Sequence, residues 1–98
     1  MTTIKINGIE ISLPELTGTD KQIAYGSDKR SEMAIAAAER VIERAAFKAQ
    51  PEQIRVAFIK ALGTVISEHT EAKYWIENSG AVLAQAIAVK ASKIALGK

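Results

Sequence analysis

The amino-acid sequence predicts an α+β, mostly α fold, in which an N-terminal β-hairpin packs on a bundle of three to four helices that includes one long helix. An Asn7-Gly8 pair separates two short apolar runs, as in a hairpin. A stretch of about thirty residues from Thr17 is rich in helix-forming side chains, and the chain from Ala81 is apolar at helical spacing. With 98 residues, the chain is expected to form one domain, 1–98.

Residues 2–13 are expected to form the hairpin. An Asn-Gly loop is typical of a type I′ turn, because both of its central residues need a positive φ. The turn sets a register in which Lys5 faces Glu10 and which places five aliphatic side chains on one face: Ile4, Ile6, Ile9, Ile11 and Leu13. Since a two-stranded hairpin is marginal alone, this face is expected to pack on the helices.

The central element of the prediction is a long helix at about 20–49. Thr19 and Gln22 form a capping-box pattern at its start, and the residue before Pro51 is an expected end. Its weak point is Gly26-Ser27, because a glycine in a helix interior costs about 1 kcal/mol. We favour one helix with a soft turn there over two separate helices.

Three further helices are expected at about 51–67, 71–77 and 81–96. The last of them is apolar on most sides, so it is either central to the core or buried in a subunit interface. Its most apolar run, Ala81 to Val89, is far shorter than the roughly 20 residues of a membrane span. We therefore expect no membrane insertion.

Composition excludes several classes of function. The chain has no cysteine, so disulfides and thiolate chemistry are absent, and the net charge of +2 is too small to indicate a nucleic-acid tail. The first residues lack the pattern of a signal peptide, which favours a cytoplasmic protein. The single histidine, His69, fits a helix end better than a general base. We expect no catalytic, cofactor or metal site.

Two segments resemble sequence motifs that occur together. Residues 16–30 follow the pattern LTG(S/T)xKQIAxxxxxR, and residues 69–78 contain the pattern TxAKxWI(D/E)N. The chain is thereby similar to a family of small bacterial proteins, often encoded on phages and plasmids, to which no activity is attached. It departs from that family at Tyr25 and Tyr74, where tryptophan is usual. The resemblance implies that the two segments pack on each other, with Tyr25 and Trp75 as contact residues.

The adjacent aromatic residues Tyr74 and Trp75 are candidate partner-binding residues. Neighbours in a helix point about 100° apart, so one can be buried while the other is exposed. Our favoured interpretation places Trp75 in the core and Tyr74 at its rim. The alternative is a contact patch, because tyrosine and tryptophan are common interface anchors.

Charged side chains on the long helix are the other candidates. Arg40, Arg44 and Lys48 form a basic row at every fourth residue, beside an acidic row that includes Glu39 and Glu43. The rows are either a solvated face or a surface complementary to a protein partner, which includes a second copy of the chain. Nucleic-acid binding is the less favoured hypothesis, because the acidic row repels phosphates.

These observations predict a non-enzymatic protein-binding module. The resemblance sharpens this to an inhibitor of a host defence complex, such as a CRISPR effector, encoded by a phage or other mobile element. A nucleic-acid-binding accessory protein is the alternative, and an enzyme comes third. A homodimer is also predicted, from the apolar last helix and from the length of the long helix. A break at Gly26-Ser27 would instead close a monomeric bundle.

Overall fold

The predicted α+β, mostly α fold is confirmed: an antiparallel two-stranded hairpin packs against five helices. The computed structural model describes residues 2–97. The strands are β1 (Thr2–Ile6) and β2 (Ile9–Leu13), and the helices are α1 (Asp20–Ile42), α2 (Ala45–Lys48), α3 (Glu52–Ile66), α4 (Ala72–Asn78) and α5 (Ala81–Ala95). The last three helices begin and end within one residue of the predicted bounds. Within residues 2–97, no helix has the length and apolarity to cross a lipid bilayer.

The hairpin has the predicted register. Asn7 and Gly8 both have positive φ values, 53° and 82°, as the type I′ turn requires. Lys5 is paired with Glu10 on the exposed face. The five aliphatic side chains of the opposite face are buried or half-buried, and this face meets α3, where Ile11 contacts the backbone at Gly63.

The start of α1 is a complete capping box. The Gln22 N–H donates to Thr19 Oγ1 at 3.2 Å, and the Thr19 N–H donates to Gln22 Oε1 at 3.0 Å. The helix then runs through Gly26 without a turn, contrary to the predicted soft turn. A Cβ at Gly26 would lie 2.9 Å from the carbonyl oxygen of Ala72, so this glycine lets α4 approach α1 closely.

The predicted single helix at about 20–49 is wrong at its C-terminal end. α1 ends at Ile42, and α2 starts anew at Ala45 with Arg44 as its N-cap. The break turns the chain so that Phe47 is buried against Phe58, with ring centroids 5.4 Å apart in an edge-on arrangement. Because α1 has only 23 residues, its length no longer indicates that a second chain covers its far end.

The two motif segments pack on each other, as the resemblance implied. The Thr17 N–H donates to the carbonyl of Thr70 at 2.8 Å, and the Ala72 N–H donates to the carbonyl of Thr17 at 3.0 Å. Gly26 then rests against Ala72. Tyr25, by contrast, is 53% exposed. Small residues and backbone hydrogen bonds therefore hold α4 against the start of α1.

Candidate protein-binding surface

α5 has two apolar faces, and only one of them is covered. Ala84, Ile87, Ala88 and Ala91 recur at helical spacing and are buried against α1 and α3. On the opposite side lies a line of exposed residues that is interrupted by Lys93 and is otherwise apolar; we call its apolar members the α5 stripe: Val82, Ala86, Val89 and Leu96. Val82 is 86% exposed, Leu96 48% and Val89 42%. The apolar character of α5 therefore exceeds what one buried face requires.

An apolar groove adjoins the C-terminal end of the α5 stripe. It has a volume of about 240 Å³, and we call it the corner groove because it lies where α1 turns into α2. Its walls are Val41, Arg44, Ala46, Phe47, Gln50, Ile54, Phe58, Ser92, Ala95 and Leu96. A second depression of about 200 Å³ shares Val41, Arg44, Ser92 and Leu96 and extends along α5 to Val89. The stripe and the groove therefore form one continuous surface.

Cationic side chains border this surface. Arg40 donates from a guanidinium nitrogen to Gln85 Oε1 at 3.3 Å, which ties α1 to α5. Lys90 is paired with Glu68, with 2.7 Å between Nζ and Oε1. In the part of the chain that the structure describes, Arg44 and Lys93 form no ion pair. Both line the depression beside Val89, so they give it a positive edge.

The predicted basic row is broken by the end of α1. Arg40 is on α1, Arg44 caps α2, and Lys48 is the last residue of α2. The expected alignment at every fourth residue therefore does not hold, because it required one continuous helix. Only Arg40 and Arg44 reach the surface around the α5 stripe.

The acidic candidates lie on the exposed side of the same segment. Glu39 is exposed on α1, and Glu43 is exposed as its C-cap. Neither forms an ion pair within residues 2–97, and the only paired glutamate on α1 is Glu32, at 3.4 Å from Lys29. Glu43 precedes Arg44 in the chain, so opposite charges sit side by side at the helix break.

The aromatic candidates separate as the favoured interpretation predicted. Trp75 is only 1% exposed, and its Nε1–H donates to the carbonyl of His69 at 3.0 Å. Its assignment as a partner-binding residue is therefore wrong, because the side chain is part of the core. Tyr74 is half-buried at the rim and stacks on the His69 ring at 3.8 Å between centroids.

Arg30 is a buried residue that the sequence analysis did not single out. Its guanidinium donates to the carbonyl of Pro14 at 2.6 Å, which fastens the segment after β2 to α1. Its Nε has no hydrogen-bond partner in the described chain, and desolvation lowers the pKa of the side chain. The sequence does indicate that Arg30 lies on the buried side of α1, because Met33, Ala34 and Ala37 follow it on the same helix face.

Among residues 2–97, no group of three or more carboxylate or histidine side chains is placed to hold a metal ion. Comparison with known proteins found no matching family model, no matching curated protein and no matching solved structure. The α5 stripe and the corner groove are therefore the features on which a functional interpretation depends.

Proposed function

We propose that the protein is a non-catalytic protein-binding module of the cytoplasm and that the α5 stripe is its docking surface. The observation that carries this proposal is the exposure of Val82 and Val89 on α5 and of Leu96 at its C-cap, along one line of a helix whose other face is already buried. Burial of apolar surface contributes roughly 25 cal/mol per Å², so a partner that covers the stripe gains free energy directly.

The borders of the stripe supply specificity. The corner groove can accept an apolar side chain of a partner between Phe47 and Leu96. Arg44 and Lys93, which form no ion pair in the described chain, can bind carboxylates or carbonyl oxygens at the edge. An apolar centre with polar edges is the usual arrangement of a protein–protein interface.

Two hypotheses from the sequence stay predictions. The nucleic-acid alternative has Arg40 and Arg44 in its favour, but Glu39 and Glu43 flank them, and phosphate binding needs a field of one sign. A mobility shift titrated with salt tests it, because phosphate contacts weaken steeply as salt rises. The narrower hypothesis of a host-defence inhibitor rests on the motif resemblance alone.

Affinity capture with matched variants tests the proposal. The tagged protein is expressed in a bacterial host beside an untagged copy, and stoichiometric proteins that co-purify are identified. We expect the double variant Val82→Glu/Val89→Glu to lose its partner, because two carboxylates would be desolvated in the interface. The control variant Ile35→Glu changes an apolar residue of α1 that is 49% exposed, close to the 42% of Val89, and should keep the partner.

Two outcomes would contradict the proposal. One is that the wild-type protein retains no stoichiometric partner, neither a host protein nor the untagged copy. The other is that the double variant retains the partner as well as Ile35→Glu does.

A further inference from the structure

We infer that the partner of this surface is an acidic amphipathic helix of another protein, which lies in a trough between the end of α1 and α5 with its carboxylates against Arg44 and Lys93. The trough consists of the corner groove and the adjoining depression that reaches Val89. This inference rests on the proposed function and names the chemistry of the partner. It is carried by the shape of the trough and by the charge of its walls.

The trough has the dimensions of a helix-binding groove. One wall is the turn from α1 into α2, with Val41, and the other is α5 from Gln85 to Leu96. These positions of α5 span about 17 Å at 1.5 Å per residue, or about three helical turns. The hydrogen bond from Arg40 to Gln85 joins the two walls at the end remote from the corner groove. A groove of this length between helices fits one face of an amphipathic helix.

The lining of the trough is apolar and concave. The corner groove, of about 240 Å³, is lined by Phe47 and Phe58 among others. The adjoining depression, of about 200 Å³, lies beside Ala88 and Val89. Two hollows in succession accept side chains that project from one face of a partner helix at spacings of three, four and seven residues. The apolar side chains of the partner therefore supply most of its binding free energy.

The charge of the walls indicates an acidic partner. Arg44 stands on one wall and Lys93 on the other, and both are exposed and form no ion pair among residues 2–97. Of the described residues, no carboxylate lines either hollow, and α5 carries none. Glu43 precedes Arg44 in the chain but does not line the trough. A helix with Asp or Glu on both sides of its apolar face therefore places a carboxylate against each cation.

Three other occupants fit this surface less well. A second copy would bring its own Lys93 and no carboxylate on α5, so the homodimer expected from the sequence stays a prediction without support from charge. A nucleic acid would find no exposed ring for base stacking, because Phe47 and Phe58 are buried. An anionic membrane surface is too flat to fill a concave trough. The acidic helix matches both the apolar lining and its cationic borders.

Selection from a peptide library tests the chemistry of the partner. Displayed random peptides of about sixteen residues, long enough to span the trough as a helix, are selected on the wild-type protein. They are selected in parallel on the charge-reversed variant Arg44→Glu/Lys93→Glu. The wild type should enrich peptides with Asp and Glu on both sides of an apolar helix face. The charge-reversed variant should enrich Lys and Arg at the same positions, a result that also shows the variant to be folded.

Fluorescence anisotropy then measures the enriched acidic peptides. An exposed ion pair changes affinity by up to about fivefold, so the reversal of two attractions into repulsions should raise Kd about tenfold or more. Lys60→Glu/Lys73→Glu is the matched control, because it changes the net charge equally at exposed positions outside the trough. It should bind as the wild type does. Binding to the wild type should weaken between about 50 mM and about 500 mM salt, because salt screens exposed charges.

Several outcomes would overturn the acidic-helix inference. They are a selection that enriches no peptide, enriched peptides without an excess of acidic residues, and acidic peptides that bind the charge-reversed variant as tightly as the wild type. Preferential binding to phosphatidylserine vesicles that excludes the peptides would assign the trough to a lipid surface instead. A dimer in light scattering that the peptides dissociate would assign it to a second copy.

The proposed function is tested separately by affinity capture. It survives a failure of the acidic-helix inference if a captured protein is still lost by Val82→Glu/Val89→Glu and kept by Ile35→Glu. A captured partner that is kept by the charge-reversed variant but lost by Val82→Glu/Val89→Glu would leave the docking surface in place and overturn only the acidic chemistry.

Discussion

The contact between α1 and α4 and the outer face of α5 are built from the same kinds of residue and have opposite surroundings. At the α1–α4 contact, Gly26 and Ala72 bring two helices close together. The large side chain of Trp75 is buried beside them, and its N–H forms a hydrogen bond. On the outer face of α5, small residues again alternate with larger apolar ones, but Val82 and Val89 face solvent. Composition alone therefore does not distinguish a surface that is covered in the folded chain from one that stays exposed to solvent.

The difference separates residues that stabilise the fold from residues available for binding. Buried apolar groups of the α1–α4 contact already contribute their burial energy to folding. The apolar groups of the α5 stripe contribute burial energy only when another surface covers them. Variants of the two regions should accordingly divide into those that lower stability and those that change association.

The largest effect on stability is expected from Trp75→Ala. The side chain is almost fully buried, and removal of a core aromatic costs about 3–5 kcal/mol through lost burial and the remaining cavity. Urea denaturation at low protein concentration measures the loss. Tyr74→Ala, at the half-buried neighbour, should cost clearly less, and near-wild-type stability of Trp75→Ala would mean that Trp75 is not a core residue.

Gly26→Ala is expected to destabilise the protein although alanine is the better helix former. The new methyl group would meet the Ala72 carbonyl, and such overpacking costs about 1–3 kcal/mol, against a gain of about 1 kcal/mol in helix propensity. Thermal denaturation should show a lower midpoint. Ser27→Ala, the next residue along α1, is the control and should be neutral or stabilising. A raised midpoint for Gly26→Ala would show that α4 can move away without cost.

A smaller loss is expected from Thr19→Ala, which removes one half of the capping box at the start of α1. Loss of an N-cap hydroxyl typically costs about 1 kcal/mol. Thr19→Ser keeps the acceptor oxygen and should retain most of the stability in urea denaturation. Equal stability of Thr19→Ala and the wild type would mean that water replaces the cap fully.

The smallest effect on stability is expected from Val82→Ser, whose side chain is mostly in solvent. Exposed substitutions usually change the free energy of unfolding by less than about 0.5 kcal/mol. The same variant should retain less of the partner in affinity capture. If Val82→Ser unfolds much more easily at high dilution, the α5 stripe belongs to the folded core and the comparison with the α1–α4 contact fails.

Local rules were sufficient for the hairpin, the α1 cap and the positions of α3, α4 and α5. The Asn7-Gly8 turn determines the strand register through backbone geometry, and Thr19 with Gln22 determines where α1 begins. These features depend on neighbours a few residues apart, so they can be read from the order of residues. The mostly helical α+β class follows from the same local patterns.

Contacts between residues far apart in the sequence decided where α1 ends, which residues of α1 are packed, and which side of α5 is exposed. α1 ends at Ile42 although the residues beyond it are good helix formers, and the chain turns there to bury Phe47 on Phe58. Gly26 is a packing residue because Ala72 lies across from it, and Arg30 is buried because Pro14 offers it a carbonyl. The sequence by itself determined that α5 is apolar nearly all round. Only the positions of α1 and α3 decided which of its sides remained open, because burial depends on what packs against a helix.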